Sequence, residues 1–162
     1  MNKAIFFDRD GVINKERSDY VKNMDELELF PEFPQFVKLL NEKNFLIIVI
    51  TNQSAIARGL LTESTLKKIH EKIQTFVSKI GGHIDGFYHC PHHPDKNCSC
   101  RKPKSGLLIQ AAKDFDIDLT SSWMIGNNDS DVLAGLNVGC NAEKISDMES
   151  LSKIIKKILS KN

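Results

Sequence analysis

The sequence predicts an α/β fold: a parallel, Rossmann-like sheet with helices on both faces. Two observations carry that expectation. Short apolar runs alternate along the chain with longer segments whose apolar residues recur at helical spacing. The strongest short run, "LIIVIT" (Leu46–Thr51), is continuously apolar and β-branched, as a strand covered on both faces should be. With 162 residues and no repeat, low-complexity tract or linker, one domain over 1–162 is expected.

The elements follow in order. "KAIFFD" (Lys3–Asp8) is an apolar run ending in a charge, which suits a buried strand. "PQFVKLLNEKN" reads as a helix, with Pro34 in its first turn and Phe36, Val37, Leu39 and Leu40 on one face. After the second strand, Leu66, Ile69, Ile73, Phe76, Val77 and Ile80 mark a helix that Gly81 and Gly82 stop. "GFYHC" is a third strand, "SGLLIQAAKDF" a helix and "SWMIG" a fourth strand. "DVLAGLN" is a short helix and "CNAEKI" an edge strand. Ser146 and Glu149 have capping-box spacing before a last helix that turns Leu151, Ile154, Ile155, Ile158 and Leu159 inward.

Composition narrows the function classes. Apolar content of 41% and charged content of 27% are ordinary for a globular protein, and a net charge of +1 offers no basic surface for nucleic acid or an anionic membrane. The longest apolar run, "FLIIVI", is far short of a membrane span. "MNKAIFFD" enters a strand pattern at once, so no signal peptide and a cytoplasmic location are expected. The expected protein is a monomer with a small-molecule ligand.

In an open parallel sheet, ligands bind beyond the carboxyl ends of the strands. Three strand ends here are polar: "DRDG" (Asp8–Gly11), "TNQS" (Thr51–Ser54) and "GNNDSD" (Gly126–Asp131). Asp8 and Asp10, two residues apart on extended chain, project to the same side. Their mutual repulsion calls for a cation, and Mg2+ suits hard oxygen ligands. A carboxylate beside it can attack a phosphoryl group, and the second can serve as general acid and then base. Thr51 offers a hydroxyl and backbone N–H groups to the phosphate, and Lys102 a point charge. An isolated D-x-D is otherwise commonly only a turn cap.

Together "FFDRDGVIN", "VITNQSAIARG", "CRKP" and "IGNNDSDVLAG" resemble the four motifs of the haloacid dehalogenase superfamily of phosphatases. With the cysteine cluster described below, the chain resembles the D,D-heptose 1,7-bisphosphate phosphatases and their histidinol-phosphate phosphatase relatives, as far as Ile145. The resemblance implies Asp8 as nucleophile and Asp10 as general acid/base. It implies a phosphate held by Thr51, Asn52, Gln53, Ser54 and Lys102. Mg2+ would be held by Asp8, the Asp10 carbonyl and the loop carrying Asn127 and Asp131. "SDYV" resembles the pocket-lining pair of the heptose enzymes, here Tyr20 and Val21, and Gly106 occupies a position typical of them. Arg101 would meet the second phosphate of a phosphorylated sugar; Arg58 is equally well a solvated loop cation. Hydrolysis at C7 of the heptose bisphosphate is the leading expectation. Histidinol-phosphate hydrolysis and weak sugar-phosphate binding without turnover stand as alternatives.

Two local features complete the reading. "CPHHPDKNCSC" (Cys90–Cys100) presents Cys90, His92, Cys98 and Cys100, a Cys3His set suited to structural Zn2+ with no open position for chemistry. His89 and His93 are not expected as ligands, and Cys140 reads as a small buried residue. The fourth motif of the family normally begins Gly-Asp, where this chain has Gly126 and Asn127. An amide brings no charge, so weaker Mg2+ binding is expected, with Asp131 remaining and Asp129 a substitute.

Overall fold

The computed structural model describes Met1–Lys161. Its sheet has five strands: β1 (Lys3–Phe7), β2 (Phe45–Asn52), β3 (Gly86–Cys90), β4 (Trp123–Gly126) and β5 (Asn141–Lys144). They lie in the order β3-β2-β1-β4-β5, every pair parallel. The helices are α1 (Phe33–Glu42), α2 (Glu63–Ser78), α3 (Gly106–Phe115), α4 (Asp129–Leu136) and α5 (Met148–Ser160). The chain steps outward from β1 through β2 to β3, then returns to the other side of β1. That reversal opens a crevice beyond the carboxyl ends of β1, β2 and β4.

Side-chain alternation sorts the core into two layers. Ile5, Phe7, Ile47 and Val49 face α1, α2 and α5, meeting Val37, Leu40, Leu66, Ile69, Ile73, Leu151 and Ile155. Ala4, Phe6, Ile48 and Ile50 face the opposite way, against Leu107, Leu108 and Ala111 of α3 and Ala134 of α4. Cover on both faces explains why "KAIFF" and "LIIVI" show no polar alternation. Each fully buried Ile or Phe contributes about 1.5–3 kcal/mol by leaving water. Phe7 and Phe33 add an edge-to-face contact with ring centroids 5.2 Å apart.

Two expectations need correction. Ile80 lies beyond α2 and is exposed, because the helix ends at Ser78 and the chain turns at Gly81, whose φ is +93°. The capping box of α5 is formed by Asp147 and Ser150, one residue later than the Ser146–Glu149 pair. Asp147 has the extended backbone a cap requires, and its Oδ1 accepts the Ser150 N–H at 2.7 Å. Among the described residues no helix is long and apolar enough to cross a membrane.

Candidate active site

The crevice holds a cleft of about 440 Å³ lined by Asp8 and Asp10 beyond β1, Asn52 and Ser54 beyond β2, and Asn128 and Asp131 beyond β4. Arg101 and Lys102, from the loop after β3, close one wall. At its floor the Lys102 ammonium donates to Asp8 Oδ1, Asp131 Oδ1 and the Ile50 carbonyl, each at 2.7 Å. All three charged side chains are nearly inaccessible.

Local structure explains how such distant residues converge. Asn52 clamps the Lys102 main chain: its Oδ1 accepts the Lys102 N–H at 3.1 Å and its Nδ2 donates to the Lys102 carbonyl at 3.2 Å. Asp131 turns back onto the end of β4, where its Oδ2 accepts the Asn128 N–H at 3.0 Å. Only glycine permits that approach, since a Cβ at Gly126 would stand 2.2 Å from Asp131 Oδ2. Asp131 therefore caps α4 with one oxygen and holds Lys102 with the other.

The two carboxyls of "DRD" have opposite electrostatics. Burial pushes the Asp8 carboxyl up to about 7, with Asp131 and Asp10 adding to the rise and Lys102 opposing it. Burial would raise Asp10 too, but the Arg9 guanidinium and three donated hydrogen bonds outweigh it and hold Asp10 below the usual carboxylate range. Arg9 and Asn14 donate to Asp10 Oδ1 at 2.9 and 3.0 Å, and Gln53 Nε2 donates to Oδ2 at 3.1 Å. Lys102 is driven up by its two carboxylates despite the burial that opposes its charge.

Thr51 and Gln53 stand behind the cleft rather than in its lining, both buried, with Gln53 Nε2 donating to Thr51 Oγ1 at 2.7 Å. Tyr20 lines the cleft and Val21 packs in the core beneath it. The exposed Arg58 lies over the Tyr20 ring, 5.8 Å from its centroid. Asn127 turns to its neighbours: Nδ2 donates to Glu16 Oε2 at 3.2 Å, and Oδ1 accepts from Asn128 at 3.0 Å. Asp129 pairs with Lys144 on the surface, away from the floor of the cleft.

The sequence reading missed Arg9, Asn14, Glu16, Arg17 and Pro94. Arg9 is fully buried and Asn14 is the far end of a tight turn after Asp10; Glu16, Arg17 and Pro94 line the cleft. Gly11 in "DRDGVIN" signals a turn after Asp10, but nothing in those letters says which atoms meet the Asp10 carboxylate.

The cysteine loop stands beside the cleft and contributes Pro94 to it. The ligand atoms of Cys90, His92, Cys98 and Cys100 all lie within 4.8 Å of one another. Cys90 Sγ is 3.7 Å from Cys98 Sγ, and Cys100 Sγ is 3.3 Å from His92 Nδ1. His89 instead meets Glu63 at 2.8 Å and His93 meets Asp95 at 3.3 Å. Gly106 matters here: its N–H donates to the Ser99 carbonyl at 3.1 Å, and a Cβ would lie 2.4 Å from that oxygen. Cys140 is buried, which pushes its thiol up to about 12.

The profile of the polynucleotide kinase 3 phosphatase family matches residues 3–158. A D-glycero-beta-D-manno-heptose-1,7-bisphosphate 7-phosphatase from Helicobacter pylori (strain J99) is 42% identical over 137 residues, covering 84% of this chain and 78% of that protein. The chain belongs to the heptose-bisphosphate phosphatase family of haloacid dehalogenase-like phosphatases. Its Bordetella bronchiseptica relative of the same name is 37% identical over 138 residues, 85% of this chain and 77% of that one. A crystal structure of the D,D-heptose 1,7-bisphosphate phosphatase of B. bronchiseptica, complexed with magnesium and phosphate, superposes with a TM-score of 0.90, 30% identity and 99% coverage of both chains. As a member of this family, the chain is a phosphatase of the phosphoric monoester class.

Proposed function

We propose that this chain hydrolyses the C7 phosphate of D-glycero-D-manno-heptose 1,7-bisphosphate, through an aspartyl phosphate on Asp8. The observation that carries the reading is the floor of the cleft. A buried carboxylate, held by Lys102 at 2.7 Å, stands beside a second carboxylate with a separate hydrogen-bond cage. Asp8 attacks phosphorus as the bond from phosphorus to the C7 oxygen breaks, and that oxygen takes a proton from Asp10. Asp10 then removes a proton from water, which displaces Asp8 from phosphorus and releases orthophosphate. The cage keeps Asp10 ionised, the form the base half of this cycle requires. For the acid half, a dianionic phosphate arriving beside Asp10 raises its proton affinity.

Lys102 stabilises charge on the transferring phosphoryl oxygens, and Asn52 fixes the main chain that carries it. Ser54 lines the cleft and would meet the phosphate, the Thr51 hydroxyl, buried behind it, would point its hydrogen the same way, and Gln53 donates to both Thr51 and Asp10 and so orients Asp10. Arg101 lines the cleft next to Lys102, and its buried NH1 meets no protein acceptor among the described residues, which suits a second phosphate. Tyr20 would bound the sugar between the two.

The donor set also fits Mg2+. Asp8 is a buried carboxyl whose proton affinity is already raised, partly by Asp131 and Asp10, and a cation relieves that excess of negative charge. Asp8, the Asp10 carbonyl and the Asn127–Asp131 loop would hold it. When bound, it would neutralise charge on the phosphoryl group and on Asp8. The cysteine cluster fits Zn2+: three thiols and one imidazole converge, and the backbone N–H groups of Arg101 and Cys100 help lower the Cys98 thiol to about 6 against the burial that raises it. It would hold the segment from which Pro94, Arg101 and Lys102 enter the cleft. The comparisons favour the heptose substrate over histidinol phosphate and over binding without turnover. Phosphate release from a panel containing both compounds, in Mg2+, tests this: preference for histidinol phosphate would overturn it.

A further inference from the structure

Four carboxylates line the cleft: Asp8, Asp10, Glu16 and Asp131. Two of them already accept from protein groups through both oxygens. Asp10 accepts from Arg9, Asn14 and Gln53, and Asp131 accepts from Lys102 and the Asn128 N–H. Asp8 shares one oxygen with Lys102. Glu16 is the least committed: among the described residues its carboxylate meets no cation and accepts a single hydrogen bond, from the neutral amide of Asn127 at 3.2 Å.

The position of that amide is well defined. A Cβ at Gly11 would fall 2.0 Å from Asn127 Nδ2, so the amide lies directly on the Asp10–Gly11 turn. Gly11 itself has φ of +86°, a conformation that glycine adopts without strain. Glu16 is thus held, through one amide, at the turn whose Asp10 carbonyl faces the cation in the reading above. An aspartate in place of Asn127 would set two carboxylates at this distance and repel Glu16. The asparagine instead draws Glu16 inward and leaves its charge uncompensated.

We propose that Glu16 supplies, directly or through one of the waters Mg2+ retains, the negative charge toward the divalent cation that Asn127 lacks. The inference rests on the Mg2+ reading of the cleft and adds a residue to it. Glu16 lies in an irregular loop and is exposed, so its replacement leaves the core untouched.

The test is Mg2+ binding by calorimetry and by Mg2+-dependent rise in melting temperature, on zinc-loaded protein without substrate. It compares the chain as it stands, Glu16→Gln, Asn127→Asp and the double variant. Glu16→Gln is expected to weaken Mg2+ binding by roughly tenfold, the loss of one charge near a divalent ion. In the Asn127→Asp background the same change should cost less than about twofold, because the introduced aspartate then carries the charge. Equal Mg2+ affinity for the chain as it stands and for Glu16→Gln overturns the role of Glu16 while leaving the Mg2+ site in place. Equal losses in both backgrounds overturn the compensation. Absence of any Mg2+ response, including in Asn127→Asp, overturns the Mg2+ reading itself and this inference with it.

Discussion

The cleft floor and the cysteine loop are adjacent, and both gather side chains that suit a metal, yet they are built on opposite principles. The loop draws four soft or borderline donors from eleven consecutive residues and turns them all toward one point. Nothing is left over for a substrate. The floor draws hard oxygens from three separated strand ends and a lysine from the loop after a fourth, with Asp8 and Lys102 94 positions apart in sequence. Its charges remain in tension: one carboxyl is raised, another lowered, and a lysine is shared by two carboxylates. A closed donor set holds shape, whereas an open and electrostatically strained one can respond to a phosphate.

Substitutions should separate the two regions sharply. Asp8→Asn is expected to remove turnover, by on the order of 10⁴-fold or more, with an unchanged circular dichroism spectrum, because an amide does not attack phosphorus usefully. Asp10→Asn should cost roughly 10²–10⁴-fold in kcat, the range of a positioned acid–base group.

Lys102→Met breaks the floor through stability as well as turnover. It leaves Asp8 and Asp131 buried without their cation, so a loss of about 3–5 kcal/mol in denaturant unfolding is expected at neutral pH. The loss should shrink as the solution is acidified below 7, where Asp8 takes up a proton. An equal loss on the acid side and the alkaline side of 7 would show that the pair is not what sustains Lys102.

The loop should fail by loosening. Cys98→Ser is expected to lower the melting temperature by roughly 10 °C and release zinc, with activity falling as Arg101 and Lys102 lose their support. If zinc leaves and activity in Mg2+ is retained, the loop does not position the cleft.

The smallest effect concerns pH. Asp8 is raised to about 7, so the folded chain binds more protons than the unfolded chain between the ordinary carboxylate range and 7. Without a cation, stability should therefore fall as pH rises through that window. Mg2+ must displace the Asp8 proton, so its affinity should fall, by up to about tenfold per pH unit, as pH drops below 7. A flat Mg2+ affinity across that window would contradict the raised carboxyl.

The two regions also differed in how much the sequence disclosed. The cysteine cluster was legible because its spacing is local, and the structure adds that its four donor atoms converge while His89 and His93 turn to Glu63 and Asp95. The alternation of elements disclosed the sheet, since residues buried on both faces must be apolar at every strand position. The floor was legible only as strand ends plus a resemblance. Arg9 beneath Asp10, Gln53 orienting it and Glu16 against Asn127 carry no periodicity, and their roles depend on contacts such as that between Glu16 and Asn127. The misplaced capping box has the same origin: Ser146 and Glu149 have suitable letters, but the extended backbone occurs at Asp147.

The open floor, and not the closed loop, is expected to remove one particular phosphate. The decisive measurement follows D-glycero-D-manno-heptose 1,7-bisphosphate by phosphorus NMR during incubation with the full chain, prepared with Zn2+ and given Mg2+. The C7 monoester signal is expected to disappear with the anomeric C1 phosphate retained, and neither signal to change with Asp8→Asn. Release of the C1 phosphate, or persistence of both signals at every Mg2+ concentration, would contradict it.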